Sequence, residues 1–188
     1  MAKSRRIRFF FEYLLYRFVT ILIAMLPRSV ALASGAALGR LAFFIKSERR
    51  LLAEQNMQRA LPELSRKQVR SEVAGMFRHL GIIVMELLML KRFHDESDLS
   101  RYFDFENLER LQEAHARGKG VLLVTAHLGF WEAGTFFLPK LGFPVAFIAK
   151  RMKNPRMDSY LSATRVLSGG EIIDARRGAR KIIKALGQ

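Results

Sequence analysis

The hydrophobic pattern of the chain changes near residue 118, and this change restricts the folds that it can adopt. Before it, apolar side chains recur every three to four residues, as on amphipathic helices. After it, short apolar runs predict strands at residues 121–125, 145–149 and 171–174, and a helical pattern follows each strand. Three consecutive βα units predict a parallel sheet with right-handed crossovers. The predicted fold class is therefore α/β, with amino-terminal helices ahead of a parallel-sheet domain.

The sequence predicts three regions along its 188 residues. Residues 1–46 form a helical segment that associates with a membrane, residues 47–117 form a helical region that packs on the core, and residues 118–188 form the α/β core. A helix C-cap signal at Gly187 indicates that another element follows, and a three-stranded sheet leaves an edge strand unprotected. We therefore expect the α/β core to be incomplete within this sequence.

The first predicted helix combines a basic front with an apolar body. Glu12 and Arg17 interrupt the apolar run, and Pro27 ends it. Because spanning a bilayer would bury both charges at considerable cost, we expect this helix to lie in the membrane interface or to insert part-way, with its arginines on phospholipid head groups. A buried amphipathic helix is the alternative.

The second predicted helix, at residues 29–45, contains Gly35 and Gly39 in a small-xxx-small pattern that lets helices approach closely. We predict that this face packs on the first helix, with a specific dimer as the alternative. Beyond it we predict helices at residues 51–60, 65–91 with Ser65 as N-cap, 105–117, 129–140, 155–167 and 177–186, and a loop at residues 93–101.

The net charge of +15 is concentrated at the two ends of the chain. Residues 1–50 carry ten Lys/Arg against two acidic residues, and residues 140–188 carry eleven against three. Anionic lipid, an acidic protein, a phosphorylated substrate and nucleic acid all suit such a charge. Because the sequence has no recognisable reading helix or aromatic–basic platform, we expect no nucleic-acid partner.

The residue inventory excludes several kinds of site. The chain has no cysteine, which excludes disulfides, thiolate metal sites and a cysteine nucleophile. Its four histidines, which lack the spacing of metal ligands, are His79, His94, His115 and His127. We therefore expect neither a metal nor a cofactor.

His127 follows the predicted strand at residues 121–125, at the sheet edge where α/β proteins place their chemistry. The chain then turns at Gly129 into the next helix, and Glu132 falls in the first turn of that helix. A carboxylate that accepts one ring N–H raises the basicity of the other ring nitrogen, which can then take a proton from a hydroxyl. The alternative is a strand-end histidine with a surface glutamate.

The block at residues 118–132, Gly-Lys-Gly-Val-Leu-Leu-Val-Thr-Ala-His-Leu-Gly-Phe-Trp-Glu, resembles the signature of the bacterial lipid A biosynthesis acyltransferases. These late, lauroyl- and myristoyl-transferring enzymes belong to the lysophospholipid acyltransferase superfamily, whose motif is His-x-x-x-x-Asp/Glu. The resemblance covers nearly the whole chain, although family members are usually longer. It implies that His127 is a general base oriented by Glu132. The implied reaction moves a fatty acyl group from acyl carrier protein or coenzyme A to a hydroxyl of a lipid A precursor or related membrane glycolipid.

The resemblance also implies further site residues and a location. Lys150 and Arg151 open on the same sheet edge as His127 and suit a phosphorylated head group or the phosphopantetheine of the donor, with a solvated basic loop as the alternative. Asn154 matches an Asn-rich turn of the family, and Arg165 matches a family arginine that helps to form the site. The family works at the cytoplasmic face of the inner membrane, where acyl carrier protein and the lipid acceptor meet.

Two other interpretations remain open. One is a lysophospholipid or phosphoglycolipid acyltransferase that uses acyl-CoA, although a glutamate rather than an aspartate at position 132 favours the glycolipid branch. The other is an inactive, truncated, membrane-bound fragment that only binds lipid. Activity of the chain and its dependence on His127 would separate the two.

Overall fold

The computed structural model describes residues 2–45, 47–95, 99–176 and 178–186. The chain forms two compact units. One unit comprises Met1–Phe18 together with Leu90–Gln188, and the other comprises Val19–Met89. The units are described separately below, and the first helix contributes to both of them.

The unit formed by Val19–Met89 is helical. It contains the end of α1 (Ala2–Met25), followed by α2 (Arg28–Ile45), α3 (Ser47–Ala60) and α4 (Arg66–Leu88). The predicted N-cap of α4 is confirmed, because the Ser65 hydroxyl accepts from the Gln68 backbone N–H while the Gln68 side chain accepts from the Ser65 N–H. Among the described helices, only α2 is long and apolar enough to cross a membrane, judged by length and composition alone.

Glycines set the distance between α2 and α4. A Cβ atom added at Gly35 would lie 2.5 Å from the carbonyl oxygen of Gly81, and one added at Gly39 would lie 2.2 Å from that of Phe77. The small-residue face of α2 therefore lies directly on the backbone of α4. The sequence correctly indicates a close helix contact, but its prediction that the partner is the first helix is wrong.

An ion pair and an apolar cluster complete the contact between α2 and α4. The Arg28 guanidinium donates to Glu86, whose buried carboxyl has a raised pKa because burial outweighs the nearby positive charge. The cluster is aromatic and β-branched, which suits tight packing between helices. Its buried members are Phe43, Val69, Val73 and Phe77.

The other unit mixes short helices with two strands. After the start of α1 it contains α5 (Leu90–Asp95), a 3₁₀ turn (Leu99–Arg101), α6 (Leu108–Ala116), a second 3₁₀ turn (Trp131–Ala133), α7 (Gly134–Lys140), β1 (Ala146–Ala149), α8 (Pro155–Arg165), β2 (Glu171–Asp174) and α9 (Ala179–Leu186). The predicted helix at residues 129–140 thus begins later, after a 3₁₀ turn. The Gly187 cap lies outside the described residues.

The core of this unit includes side chains from residues 93–101, where the sequence predicts a loop. Phe93 stacks on Phe136 with ring centroids 5.3 Å apart and nearly parallel rings. Leu90 and Leu99 are buried in the same cluster, together with Ala133. Apolar side chains of α5 and of the first 3₁₀ turn enter this cluster, so the loop prediction is wrong for residues 93–95 and 99–101. Residues 96–98 lie outside the described residues.

The sheet is smaller than the sequence predicts. β1 and β2 pair in parallel with Ala146 opposite Glu171 and Ala149 opposite Asp174, which confirms two predicted strands and their direction. Residues 121–125 form no strand, so the three-stranded arrangement is wrong for the described part of the chain. Leu122 is 68% exposed in this segment. A strand exists only through its neighbour, and the described residues provide none for this apolar run. The structure remains of the α/β class, mostly helical.

Candidate active site

A partly buried ion pair joins two of the residues that the sequence selects. Glu132 lies in the 3₁₀ turn Trp131–Ala133, and Arg165 is the last residue of α8. The Arg165 Nε donates to Glu132 Oε2 and its Nη2 donates to Oε1, each at 2.7 Å. This two-point contact holds both carboxylate oxygens in the plane of the guanidinium, a geometry that lysine cannot reproduce.

The backbone at Glu132 is held by a hydrogen bond and by buried neighbours. The Thr135 hydroxyl donates to the Glu132 carbonyl oxygen at 2.7 Å. Ala133 and Phe136 are buried in the core cluster described above. The position of the carboxylate is therefore set by the turn, the core and Arg165 together.

His127 occupies a different environment. It is exposed, and its ring lies 4.8 Å from the Trp131 ring at 52°. Gly129, with φ of +58°, turns the chain between the histidine and the 3₁₀ turn, a conformation that disfavours other residues. Within the described residues His127 has no hydrogen bond to Glu132, whose carboxylate faces Arg165. The orientation of His127 by Glu132 therefore stays a prediction.

The two cations at the end of β1 are exposed, and one of them is paired. Arg151 Nε lies 2.9 Å from Asp174 Oδ2, at the end of the neighbouring strand β2. The pKa of Asp174 lies below its ordinary value because its carboxylate accepts from the Arg176 backbone N–H and faces the Arg151 charge. Lys150 is exposed beside this pair. Both predicted cations are therefore accessible from solvent on the same strand end.

Asn154 is buried and fully engaged. Its Oδ1 accepts from the backbone N–H groups of Arg156 and Met157, which caps α8. Its Nδ2 donates to the Phe9 carbonyl oxygen at 2.8 Å and to Glu12 Oε2 at 3.1 Å on α1. The Asn-Pro pair at the start of α8 was a readable sequence signal for the cap. No sequence signal indicated the contact with α1.

A second histidine interaction was not predicted from the sequence. His94 Nδ1 lies 2.5 Å from the Ser168 hydroxyl oxygen, and the ring packs edge-on against Phe136. Burial, reinforced by Lys140 and partly opposed by Asp95, lowers the His94 pKa to about 4. The partners are 74 residues apart in sequence, so no local pattern could reveal the pair.

The described residues contain no group of three or more His, Asp or Glu side chains that could hold a metal ion. The side chains that the sequence selects are an exposed imidazole at His127, a clamped carboxylate at Glu132 and exposed cations after β1. The imidazole can accept a proton from a hydroxyl, and the cations can bind an anionic group.

The comparison with known families decides the identity of the chain. The model of the bacterial lipid A biosynthesis acyltransferases matches residues 1–188. The chain belongs to this family. Among its relatives is the lipid A biosynthesis lauroyltransferase of Escherichia coli, 28% identical over 167 residues, or 88% of this chain and 53% of the relative. The lipid A biosynthesis palmitoleoyltransferase of Escherichia coli is 29% identical over 109 residues, or 58% and 35%.

This lipid A acyltransferase family member spans about half the length, or less, of these two relatives. No solved structure gives a significant match to it. The family match covers both His127 and Glu132 as well as the cations after β1.

Proposed function

We propose that the chain takes part in transfer of a fatty acyl group from an acyl thioester to a hydroxyl of a lipid A precursor or related membrane glycolipid. The observation that carries this proposal is the family match over residues 1–188, which includes the site at Glu132. The donor is acyl carrier protein or coenzyme A. A lysophospholipid acceptor is the competing substrate and is included in the test below.

His127 is the general base in this proposal. Its exposed ring is accessible to an acceptor hydroxyl. As the hydroxyl oxygen attacks the thioester carbonyl carbon, the imidazole takes the hydroxyl proton. The tetrahedral intermediate then expels the thiolate, which recovers that proton from the imidazolium. No covalent acyl-enzyme is required, because a thioester is already activated.

Glu132 supports His127 through two routes. Its clamped carboxylate fixes the turn that carries Trp131, against which the His127 ring packs. A shift of the exposed residue 127 toward this turn would add the direct hydrogen bond that the motif predicts. The backbone N–H groups that follow Gly129 are candidate donors to the oxyanion.

The cations after β1 are the candidate head-group contacts. Lys150 and Arg151 are exposed, and Arg151 pairs with Asp174. A phosphate of the acceptor would compete with that carboxylate for Arg151. The same positive charge would attract the acidic acyl carrier protein.

We place the protein at the cytoplasmic face of the inner membrane. α1 exposes apolar side chains next to Arg5, Arg6 and Arg8, a composition typical of interfacial helices, and α2 has the length of a short membrane span. A cytoplasmic donor and a membrane lipid acceptor can meet at that surface.

Acyl transfer by the purified chain in mixed micelles tests the proposal. Labelled acyl carrier protein is offered with a lipid A precursor or, separately, with a lysophospholipid. We expect product from the lipid A precursor, and we expect His127→Ala to lower its rate about 10²–10⁴-fold. The matched control is His79→Ala, which removes an exposed histidine of α4. Equal rates for wild type and His127→Ala would overturn the general-base role, and product from the lysophospholipid alone would overturn the acceptor.

A further inference from the structure

The first part of α1 has two opposite faces with different surroundings. Side chains exposed to solvent recur every three to four residues and therefore share one side of the helix. They are Ile7, Phe11, Leu14, Leu15 and Phe18, between 43% and 64% exposed. Phe9, Tyr13 and Tyr16, which follow the same spacing on the opposite side, contact α8 or the residue that caps it.

The contact with α8 begins at its cap. Asn154 donates to the Phe9 carbonyl oxygen and to the Glu12 carboxylate, as described above. The same amide accepts from the first N–H groups of α8 with its oxygen. One buried side chain, 4% exposed, thus binds the middle of α1 and the start of α8 at the same time.

An aromatic cluster continues the contact at Tyr160, in the middle of α8. The Tyr160 ring lies 5.8 Å from the Tyr16 ring and 6.5 Å from the Tyr13 ring. The Arg17 guanidinium lies 4.5 Å from the centroid of the same ring. Such edge-to-face and cation–π contacts add specific geometry to the apolar packing.

α8 connects this contact to the candidate active site. Its 11 residues begin directly after Asn154 and end at Arg165, which holds both oxygens of Glu132. A helix of this length is a rigid rod of about 16 Å. α8 therefore connects the contact with α1 at one end to the Arg165 guanidinium at the other.

We propose that Asn154 is a positioning residue whose contact with Phe9 and Glu12 transmits lipid binding by α1 through α8 to the Arg165–Glu132 pair. The ligand of the exposed face is an anionic bilayer surface, because Arg5, Arg6 and Arg8 are exposed on the same helix. The proposal rests on the proposed function only in giving the pair a catalytic purpose. The transmission from α1 to the pair does not depend on catalysis.

The single tryptophan of the chain makes the transmission measurable. Trp131 precedes Glu132 in the same 3₁₀ turn, so its fluorescence emission reports on the turn without any turnover. The titrant is vesicles of phosphatidylethanolamine with phosphatidylglycerol, against vesicles of phosphatidylcholine alone. We expect the anionic vesicles to shift the Trp131 emission and the neutral vesicles to shift it less.

Three variants separate vesicle binding by α1 from its effect on the turn at Trp131. Asn154→Asp keeps an acceptor for the α8 cap but loses the donor to α1, and it places a charge next to Glu12. We expect it to bind anionic vesicles as wild type does in sedimentation while its emission shift falls at least about twofold. Adding Glu12→Gln supplies a new amide donor to the aspartate, and we expect this double variant to recover the shift. The matched control is Asn56→Ala on an exposed position of α3, with an unchanged shift.

The outcomes distinguish this inference from the proposed function. An emission shift in Asn154→Asp equal to that of wild type, at equal vesicle occupancy, would overturn the inference even if the protein transfers acyl groups. An absent shift in wild type would overturn it as well. A lipid-dependent shift that Asn154→Asp loses and the double variant recovers would support it even if no acyl transfer is found.

Discussion

The helices α2 and α4 and the segment at residues 121–132 all carry clear sequence patterns, yet only the helices form as their patterns predict. In α2 and α4 the apolar spacing, the cap at Ser65 and the glycines agree, and the helices touch at their backbones. In the segment before His127 the apolar run stays exposed. Helix hydrogen bonds close within one segment, whereas strand hydrogen bonds require another segment at the correct register.

The same contrast divides the His-x-x-x-x-Glu motif itself. Glu132 is locked by Arg165 and by the core beneath it, whereas His127, only five residues earlier, is exposed against Trp131. The difference follows from what surrounds each residue. The glutamate sits in a turn with long-range partners, and the histidine follows a segment without a strand partner among the described residues.

The largest expected effect is at the helix contact. Gly39→Ala places a Cβ against the Phe77 carbonyl oxygen, so the helices must separate, and we expect the free energy of unfolding to fall by about 3 kcal/mol. Chemical denaturation in detergent micelles measures it. The matched control is Gly75→Ala on α4, where no atom lies within 4 Å of the added Cβ, and stability should rise slightly. Equal stabilities of the two variants would contradict the backbone contact.

The second expected effect is a pH dependence of stability, and it tests whether His94 is buried against Phe136. The His94 pKa is about 4 in the folded protein and near 6.5 in the unfolded chain, so the unfolded chain binds more protons between these values. A shift of this size corresponds to about 3 kcal/mol, and because solvent reaches part of the side chain we expect the free energy of unfolding to fall by roughly 2 kcal/mol as the pH is lowered through this window.

Denaturation curves at several pH values, compared between wild type and His94→Asn, isolate this contribution. The variant should lose the part of the slope that lies between about pH 4 and 6.5. His79→Asn, at an exposed position of α4, is the control and should keep the wild-type slope. A wild-type slope in His94→Asn would show that the histidine is not held neutral by burial.

A smaller effect tests the local signal that succeeded. Ser65→Ala removes the acceptor for the Gln68 N–H and should lower the free energy of unfolding by about 1 kcal/mol. The total helix content measured by circular dichroism should fall slightly at the same time, because the first turn of α4 loses its cap. Ser71→Ala, at an exposed position within the same helix, should be neutral or slightly stabilising because alanine is the better helix former. A larger loss from Ser71→Ala would reverse the interpretation.

The smallest expected effect tests the apolar run at residues 121–125, which the sequence predicts to be a strand. Val124 is 89% exposed, so Val124→Ser should change the free energy of unfolding by less than about 0.5 kcal/mol. Ile173→Ser is the control in the buried part of β2, 2% exposed, and should cost about 3 kcal/mol. A comparable loss at both positions would show that residues 121–125 form the buried strand that the sequence predicts.

Most of the helices and the two strands can be predicted from the sequence, because their signals lie within each segment. The capping box at Ser65 and the Asn-Pro start of α8 specify helix ends within four residues. The motif selects Glu132 and the family resemblance selects Arg165, and the structure pairs these two side chains.

The remaining features depend on contacts between distant residues. The partner of the Gly35 face, the ordered segment around Phe93 and the contact of Asn154 with α1 all join segments far apart in sequence. Several arrangements satisfy the same local patterns at these positions, so a single sequence does not select among them.

A double-mutant cycle between Glu132 and Arg165 tests the central claim most directly, namely that the motif carboxylate forms a bidentate, partly buried ion pair with α8. The free energy of unfolding is measured for wild type, Glu132→Gln, Arg165→Met and the double variant. We predict a coupling energy of about 2 kcal/mol, because the pair is bidentate and mostly buried. Additive single effects, with a coupling energy below about 0.5 kcal/mol, would contradict the pairing and leave Glu132 available to His127.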